Sequence, residues 1–572
     1  MNKPRFLTII FCIISMVCSI NATQPNVVLI ICDDLNDYIE PLKGHPQIKT
    51  PHINRLASNG VTFLEAHCNI PICNPSRASF MTGIYPHTSQ CYGFDNWDEH
   101  EILKNSRTVM DHFRMHGYYT LGTGKLMHNR DRNQWMDYGY QADYGPMANN
   151  GKKNVAHPDV PSPFRDSFEA IDGSFGPLMN LSGRISPTTG EQYIWKTGNW
   201  AKQRELKYIS EENRDKTGDE LNGDWAVKNL KILANQKDNI PFFMGVGFLR
   251  PHTPLIVPQK YFDRYPLETV ELPLILEGDV KDTFKHTISS NQDDRGSDRG
   301  SKMYDDLIAS YDGNKELALK KFVQAYLASV ASIDDQVGRI LDVIENSSLK
   351  DNTIIIFTSD HGWGNGEKDY VYKNSLWQES TKVPLIISDP NISMKNSFSD
   401  TPVSLIDLYP TLIDLCNLSV ETKKNNLGRN LEGFSLVPLL KNPYEGKWNG
   451  PSSVLTALYK WSDHYDPRDQ SYSLRSKKWR YIRYHNGKEE LYDVINDPKE
   501  WNNLVFNKKF ESVLTNYRNE LDNRLPASIP RPAPSKESAE AWKDSYFKKF
   551  PKADVNGDGI LTWYELKQHK GD

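Results

Sequence analysis

The chain has 572 residues, 25% of them charged and 38% hydrophobic, with a net charge of -5 at neutral pH. That length carries one large core plus appendages. Basic residues are not gathered into a stripe, which argues against a nucleic-acid surface, and the mild acidity means that any affinity for a polyanion must come from local cations.

In chain order, Lys3 and Arg5 precede an apolar run from Phe6 to Ile20, and Ile20-Asn21-Ala22 fits a cleavage site. Residues 1–22 are therefore predicted to be a secretory signal, giving an exported protein, periplasmic or secreted. The run is shorter than the ~18 apolar residues of a spanning helix, and no later segment is apolar enough to cross a bilayer. Cys12 and Cys18 leave with the signal, and Cys18 lacks the preceding small residue of a lipoprotein site. Cys32, Cys68, Cys73, Cys91 and Cys416 remain, too few for a disulfide scaffold. A Cys68–Cys91 bridge is allowed but not required. Cys32, inside an apolar strand, reads as a small buried hydrophobe.

Val27–Ile31 is a continuous apolar run, the pattern of a strand buried on both faces. Pro51–Asn59 reads as a helix stopped by Gly60, and Arg107–His116 as a helix closed by Gly117 and followed by a strand at 118–121. Residues 138–217 and 296–301 are rich in Gly, Pro, Asn or Ser and are expected to be long loops over one face of the sheet. Phe322, Tyr326, Val330, Ile333, Val337 and Ile340 recur at three- and four-residue steps, predicting a helix over 315–345. Strands follow at 354–357 and 383–388. Past residue 449, Trp479–Tyr484 and Glu490–Val494 flank Asn486-Gly487, an antiparallel hairpin signal, with a helix at 510–521 packed on it. Alternating strands and helices make the main unit α/β with a central, mostly parallel sheet.

The residues that carry chemistry fall after strands. Asp33-Asp34 follow the first strand and Asp360-His361 follow the strand at 354–357. Ligands of open α/β sheets gather beyond the carboxyl ends of strands, so two acidic clusters there can share one divalent cation, Ca2+ or Mg2+ by their hard oxygens. Each pair alone reads as capping or solvated carboxylates; together with Cys73 they read as a centre. Cys73-Asn74-Pro75-Ser76-Arg77 opens a helix, with Asn74 expected to cap it and Pro75 in its first turn. Arg77, one turn on, can reach the Cys73 side chain and a metal-ligating oxygen. Lys125 and His128, His252 and Lys373 also follow strands and face the same rim.

Cys73–Arg77 resembles the Cys-x-Pro-Ser-Arg signature of type I sulfatases. Asp33-Asp34, Cys73–Arg77, Lys125 with His128, Pro251-His252, Asp360-His361 and Lys373 stand in the order seen in that family. Residues 376–384, 403–412, 431–440 and 474–498 look like it too, so the likeness covers most of 24–525. Residues 242–254 and the Lys-x-x-His spacing most resemble the iduronate-2-sulfatase branch. Met127 stands where many sulfatases have tryptophan before the histidine, so the pocket wall differs there.

The resemblance implies an alkaline-phosphatase-like α/β sandwich with a small α+β C-terminal subdomain, and sulfate-ester hydrolysis of sulfated polysaccharides or oligosaccharides, glycosaminoglycan or algal ulvan types included. It implies that a sulfatase-maturing enzyme oxidises Cys73 to formylglycine (3-oxoalanine), whose hydrate attacks the ester and then expels sulfate as the aldehyde re-forms. Asp33, Asp34, Cys73, Asp360 and His361 would hold calcium, with Mg2+ also fitting. Lys125, Lys373 and Arg77 would stabilise the transition state, His252 would protonate the departing oxygen, and His128 would help expel sulfate. The implied domains are a catalytic domain over 23–448 and an antiparallel subdomain over 449–525.

Pro526, Pro530, Pro532 and Pro534 mark a stiff linker over 526–536. Asp554, Asn556, Asp558, Ile560, Thr562 and Glu565 occupy the ligand positions of an EF-hand-like calcium loop, with Gly559 at the sharp turn. Residues 537–572 are thus expected to form a calcium module with a helical tail, in a single copy whose expected role is structural, tethering or dimerising rather than sensing. Two rivals stay open: a phosphodiester or phosphonate monoester hydrolase, and a catalytically dead, calcium-stabilised carbohydrate-binding protein.

Overall fold

The computed structural model describes residues 24–528 apart from 130, 200–201, 239, 285–297 and 461–464, with the backbone alone at 131. The signal, most of the Pro-rich linker and the EF-hand-like module lie outside the described residues. The main sheet comprises β1 (Asn26–Asp33), β2 (Val61–Phe63), β3 (Tyr119–Gly124), β4 (Asp137–Gln141), β5 (Phe242–Pro251), β6 (Thr353–Ser359), β7 (Leu385–Ser388) and β8 (Ser397–Ser399). Their spatial order is β8-β2-β7-β6-β1-β5-β3-β4. Only β7 runs antiparallel to its neighbours, so the sheet is mixed with a parallel centre.

β1 is central and buried along its whole length. Its side chains alternate, so Val28, Ile30 and Cys32 join one core while Val27, Leu29 and Ile31 join the other. Helices cover both faces, which is why the run is apolar without a break. The helices that bear on the site are α1 (Pro51–Ser58), α2 (Cys73–Thr82), α3 (Gly218–Leu233), α4 (Arg299–Ala309) and α5 (Lys315–Glu345). α5 has the extent that its periodicity predicts, and Phe322, Tyr326, Val330, Ile333, Val337 and Ile340 are all buried. Its Tyr326 hydroxyl donates to the Asp34 carbonyl (2.7 Å) and accepts from the Asn36 amide (3.0 Å), tying the helix to the end of β1.

A second antiparallel sheet joins Ser453–Leu458, Ser471–Ser476, Trp479–Arg483 and Glu489–Asp493, with Asn486-Gly487 turning the last hairpin at a Gly487 φ of 81°. α6 (Glu511–Arg524) lays Leu514 and Leu521 on Leu474, Tyr481 and Leu491.

Three expectations are corrected. Residues 138–217 are not only loop: Met147–Asn149, Asn154–Val155, Ile194–Asn199 and Lys202–Leu206 form a four-stranded antiparallel sheet. Its strands are short and polar, so they carry no two-residue hydrophobic alternation. Arg299–Ser301 open α4 rather than continue a loop, because Asp298 caps the helix by accepting from the Gly300 amide. Asn74 does not cap α2. The helix starts two residues earlier with Ile72 at its N-cap, and the Asn74 side-chain amide instead donates to the carbonyls of Gly93 and Asp95 at 2.7 and 2.8 Å. Cys68 and Cys91 are both free thiols.

Candidate active site

The ends of β1 and β6 meet at one buried centre. Asp33 closes β1, and Asp34 follows with φ at 66°, the left-handed region that an aspartate enters only when its surroundings hold it there. Consecutive strand residues would face opposite sides of a sheet. The turn at Asp34 brings both carboxylates to the same side. Asp360 follows β6, and its Oδ1 accepts from the amides of Asp34 (3.2 Å) and His361 (2.9 Å). The two acidic clusters, separated by more than 300 residues in sequence, are thereby joined directly.

Cys73 enters from the first turn of α2, every residue of which is buried. Its sulfur lies 3.3 Å from His361 Nε2 and accepts from the Lys373 ammonium, also at 3.3 Å. Lys373 donates as well to Asp34 Oδ1 and Oδ2 at 3.0 and 3.2 Å. Lys125 donates to Asp33 Oδ2. Two glycines permit that approach: at Gly124 (φ 81°) a Cβ would stand 1.8 Å from the Gly247 carbonyl, and at Gly247 one would stand 2.1 Å from the Lys125 carbonyl. Arg77, fully buried, donates from Nε to Asp360 Oδ2 (2.8 Å) and from Nη1 to the carbonyls of Lys125 and Leu126. It spans the centre underneath and locks α2 to β6 and to the Lys125 loop. The Ser76 hydroxyl donates to the Asp360 carbonyl at 2.6 Å.

His252 Nε2 lies 3.9 Å from Asp34 Oδ2, and its Nδ1 donates to the Thr253 carbonyl. His128 stands at the edge, half-buried, its ring centroid 5.0 Å from that of the exposed Phe94. All the described residues named from the sequence for this centre therefore gather there, with His128 outermost. Sequence reasoning missed Tyr144, whose ring lies 5.2 Å from the Lys125 ammonium and 5.4 Å from His252, and Trp363, 5.7 Å beneath Lys373. Tyr144 sits in a stretch with no periodicity and left no signal. Trp363 lay two residues past His361 and could have been included with it.

The electrostatics follow from burial. Burial pushes Asp33 up, but Lys125, His252, Arg77 and Lys373 outweigh it and hold the carboxyl well below the usual range. Asp34 goes the other way: burial raises it well above, and Lys373 and His361 do not compensate. Burial, then Asp33, pushes the Cys73 thiol up to about 11, so the unmodified side chain stays protonated at neutral pH. Burial followed by Lys373 holds His252 well below the ordinary imidazole range, and burial followed by Lys125 pushes His128 down to about 3.

The residues fit a divalent cation. Asp33, Cys73, Asp360 and His361 offer ligand atoms all within 4.8 Å of one another, and Asp33, Asp34, Cys73 and His252 form an overlapping group. Asp33 Oδ1 is buried without a hydrogen-bond partner. His361 Nδ1 donates to the Gly362 carbonyl (3.0 Å), which leaves the Nε2 lone pair facing the acids, as a ligating histidine requires.

The parallel-centred sheet with acids, a thiol and lysines at its carboxyl edge is the architecture of the alkaline-phosphatase-like α/β fold. BT4656, solved in complex with its substrate D-glucosamine-2-N,6-O-disulfate, shares that fold with a TM-score of 0.61 at 19% identity, over 87% of this chain and 97% of its own. The chain belongs to the sulfatase family: residues 25–418 match the sulfatase model, and residues 366–526 match the N-sulphoglucosamine sulphohydrolase C-terminal model. It is 32% identical to a sulfatase of Formosa agariphila over 86% of this chain and 85% of the relative, and 25% identical to an ulvan-active sulfatase of the same organism over 96% and 89%. The protein is a sulfuric ester hydrolase.

Proposed function

We propose that this chain is an exported, calcium-dependent sulfatase that releases sulfate from a sulfated carbohydrate through a formylglycine made from Cys73. One observation carries the reading: Cys73 touches both His361 and Lys373 in a buried centre that also holds Asp33, Asp34 and Asp360. The carbohydrate preference rests on the ulvan-active relative, and on sequence likeness to the iduronate-2-sulfatase branch at 242–254. Export rests on the signal-like residues 1–22, and a second calcium on the EF-hand-like loop 554–565.

Asp33, Asp34, Asp360 and His361, with the modified residue 73, would hold the cation, which supplies positive charge to sulfate oxygens. The hydrated aldehyde would supply a hydroxyl nucleophile and a second hydroxyl whose loss of a proton expels sulfate as the aldehyde re-forms, an exit that a cysteine–sulfate adduct lacks. Lys125 and Lys373 flank residue 73 and hold positive charge where sulfate charge concentrates. Arg77 is committed to Asp360 and two carbonyls, so its role is to position rather than to bind substrate. His252 Nε2 faces the centre because Nδ1 is engaged by Thr253, the orientation that protonating a departing sugar oxygen needs. An anionic substrate would raise the proton affinity of this ring, which burial and then Lys373 depress.

The test is expression with and without a formylglycine-generating enzyme. Peptide mass spectrometry should find an aldehyde at residue 73 only in the co-expressed protein, and sulfate release should track it. Cys73→Ala should fold and release no sulfate. Full turnover by that variant would sink the covalent route. Faster turnover of a phosphodiester than of a matched sulfate ester would instead favour the phosphohydrolase rival.

A further inference from the structure

Arg299 lies outside the centre described above but is wired to it from two sides. Its Nε and Nη2 donate to Asp172 Oδ2, and Asp172 Oδ1 accepts from the Thr253 hydroxyl at 2.6 Å. Thr253 is the residue whose carbonyl holds His252 Nδ1. On the other side the guanidinium lies 5.5 Å from the Tyr372 ring, Tyr372 packs edge-on against Trp363 at 5.1 Å, and Trp363 carries the Lys373 ammonium at 5.7 Å. Arg299 therefore sits one layer out from both the His252 and the Lys373 walls.

Its placement is rigid. Phe168 lies under the guanidinium at 5.3 Å, so the planar group is held between two aromatic rings. The next residue, Gly300, packs against Tyr370 so closely that a Cβ would stand 2.1 Å from the ring, and its carbonyl accepts from the Val371 amide at 3.2 Å. The start of α4 is thus docked onto the strip that carries Lys373. Yet the Arg299 side chain remains 47% exposed, while Asp172 is buried. A staple between two helices has no need of a preorganised, half-open guanidinium; an anion receptor does, since a planar fork matches carboxylate and sulfate oxygens.

We propose that Arg299 is a specificity-determining residue that binds a second anionic group of the substrate, a carboxylate or a further sulfate, beside the ester being cleaved. The inference rests on the sulfated-carbohydrate reading above and narrows it to sugars carrying two negative charges close together. Asp172 positions Arg299 and, through Thr253, keeps His252 in register.

The test uses the full, matured enzyme and matched substrate pairs: a 2-sulfated uronate against its methyl ester, and a disulfated glucosamine against its monosulfated counterpart. Wild type should favour the doubly charged member of at least one pair, and the pair that responds identifies the anion as carboxylate or sulfate. In Arg299→Gln that preference should fall about 10- to 100-fold, the weight of one charge-assisted hydrogen-bonding pair, through KM rather than kcat. Arg299→Lys should keep part of it. No preference in wild type, or equal losses on both members of each pair in Arg299→Gln, overturns the proposal. Should the Gln variant fail to fold, the wild-type preference together with the Lys variant still decides. Turnover of singly charged esters by wild type tests the sulfatase reading separately, so failure of one is not failure of the other.

Discussion

Arg480→Met should cost this protein more than a change so far from the chemistry suggests. Arg480 lies in the strand Trp479–Arg483 and is fully buried, as is Glu500, to which its Nε donates. Its Nη1 donates to the Leu376 carbonyl (3.2 Å), the Thr381 hydroxyl (3.2 Å) and the Ser473 hydroxyl (3.3 Å). Glu500 Oε2 accepts from the Gln378 amide at 3.2 Å. The pair therefore clamps residues 376–381, just past Lys373, against the second sheet. Glu379 is already pushed up to about 8 by burial and by Glu367 and Glu500, so removing the arginine leaves a crowd of acids with less positive charge. Breaking a buried ion pair costs about 3–5 kcal/mol. With an unfolding entropy near ~2.1 cal/mol/K per residue over roughly 500 residues, that lowers Tm by about 3–5 °C. Thermal unfolding followed by circular dichroism measures it, and sulfate release at a permissive temperature should fall as the Lys373 strip loosens. Adding Glu500→Gln removes the stranded charge and should restore at least half of the loss. A Tm for Arg480→Met within a degree of wild type, or strict additivity of the two changes, would refute the reasoning.

Two further outcomes follow from other parts of the molecule. α1 has no side-chain cap of its own, and Asp334 of α5 supplies one by accepting from the amides of His52 and Ile53. Burial pushes Asp334 up to about 7 from 3.8, so its contribution to stability is full below pH ~3.8 and is lost as pH rises through 7, by up to about 4 kcal/mol. Asp334→Asn keeps an acceptor and should flatten urea stability between pH 4.5 and 8; a profile parallel to wild type excludes this. His252→Ala should slow sugar sulfates by about 10²–10⁴-fold but aryl sulfates far less, because a phenolate leaves without a proton. Equal losses on both would remove His252 as the acid.

Much of the site was legible because its chemistry is local in sequence. Asp33-Asp34 and Asp360-His361 stand at the ends of apolar strands and Cys73–Arg77 is a short motif at a helix start, so apolar runs and motifs located them. α5 was legible to the residue, since its long buried face repeats at helical steps. Other elements were not. The polar strands between 147 and 206 carry no periodic signal, and the cap of α2 depended on which carbonyls happened to lie near Asn74.

What residue types alone determined is the inventory: acids, a modifiable cysteine and lysines at strand ends, with a long amphipathic helix to cover them. Only the folded chain decided how they share one point. Asp34 Oδ1 and Oδ2 go to Lys373, Asp33 to Lys125 and Asp360 to Arg77, and Arg299 is drawn to the rim by Asp172. Those pairings join residues up to several hundred positions apart, and no local pattern encodes them. They are fixed because a buried charge must be paired, and only the fold brings those partners together.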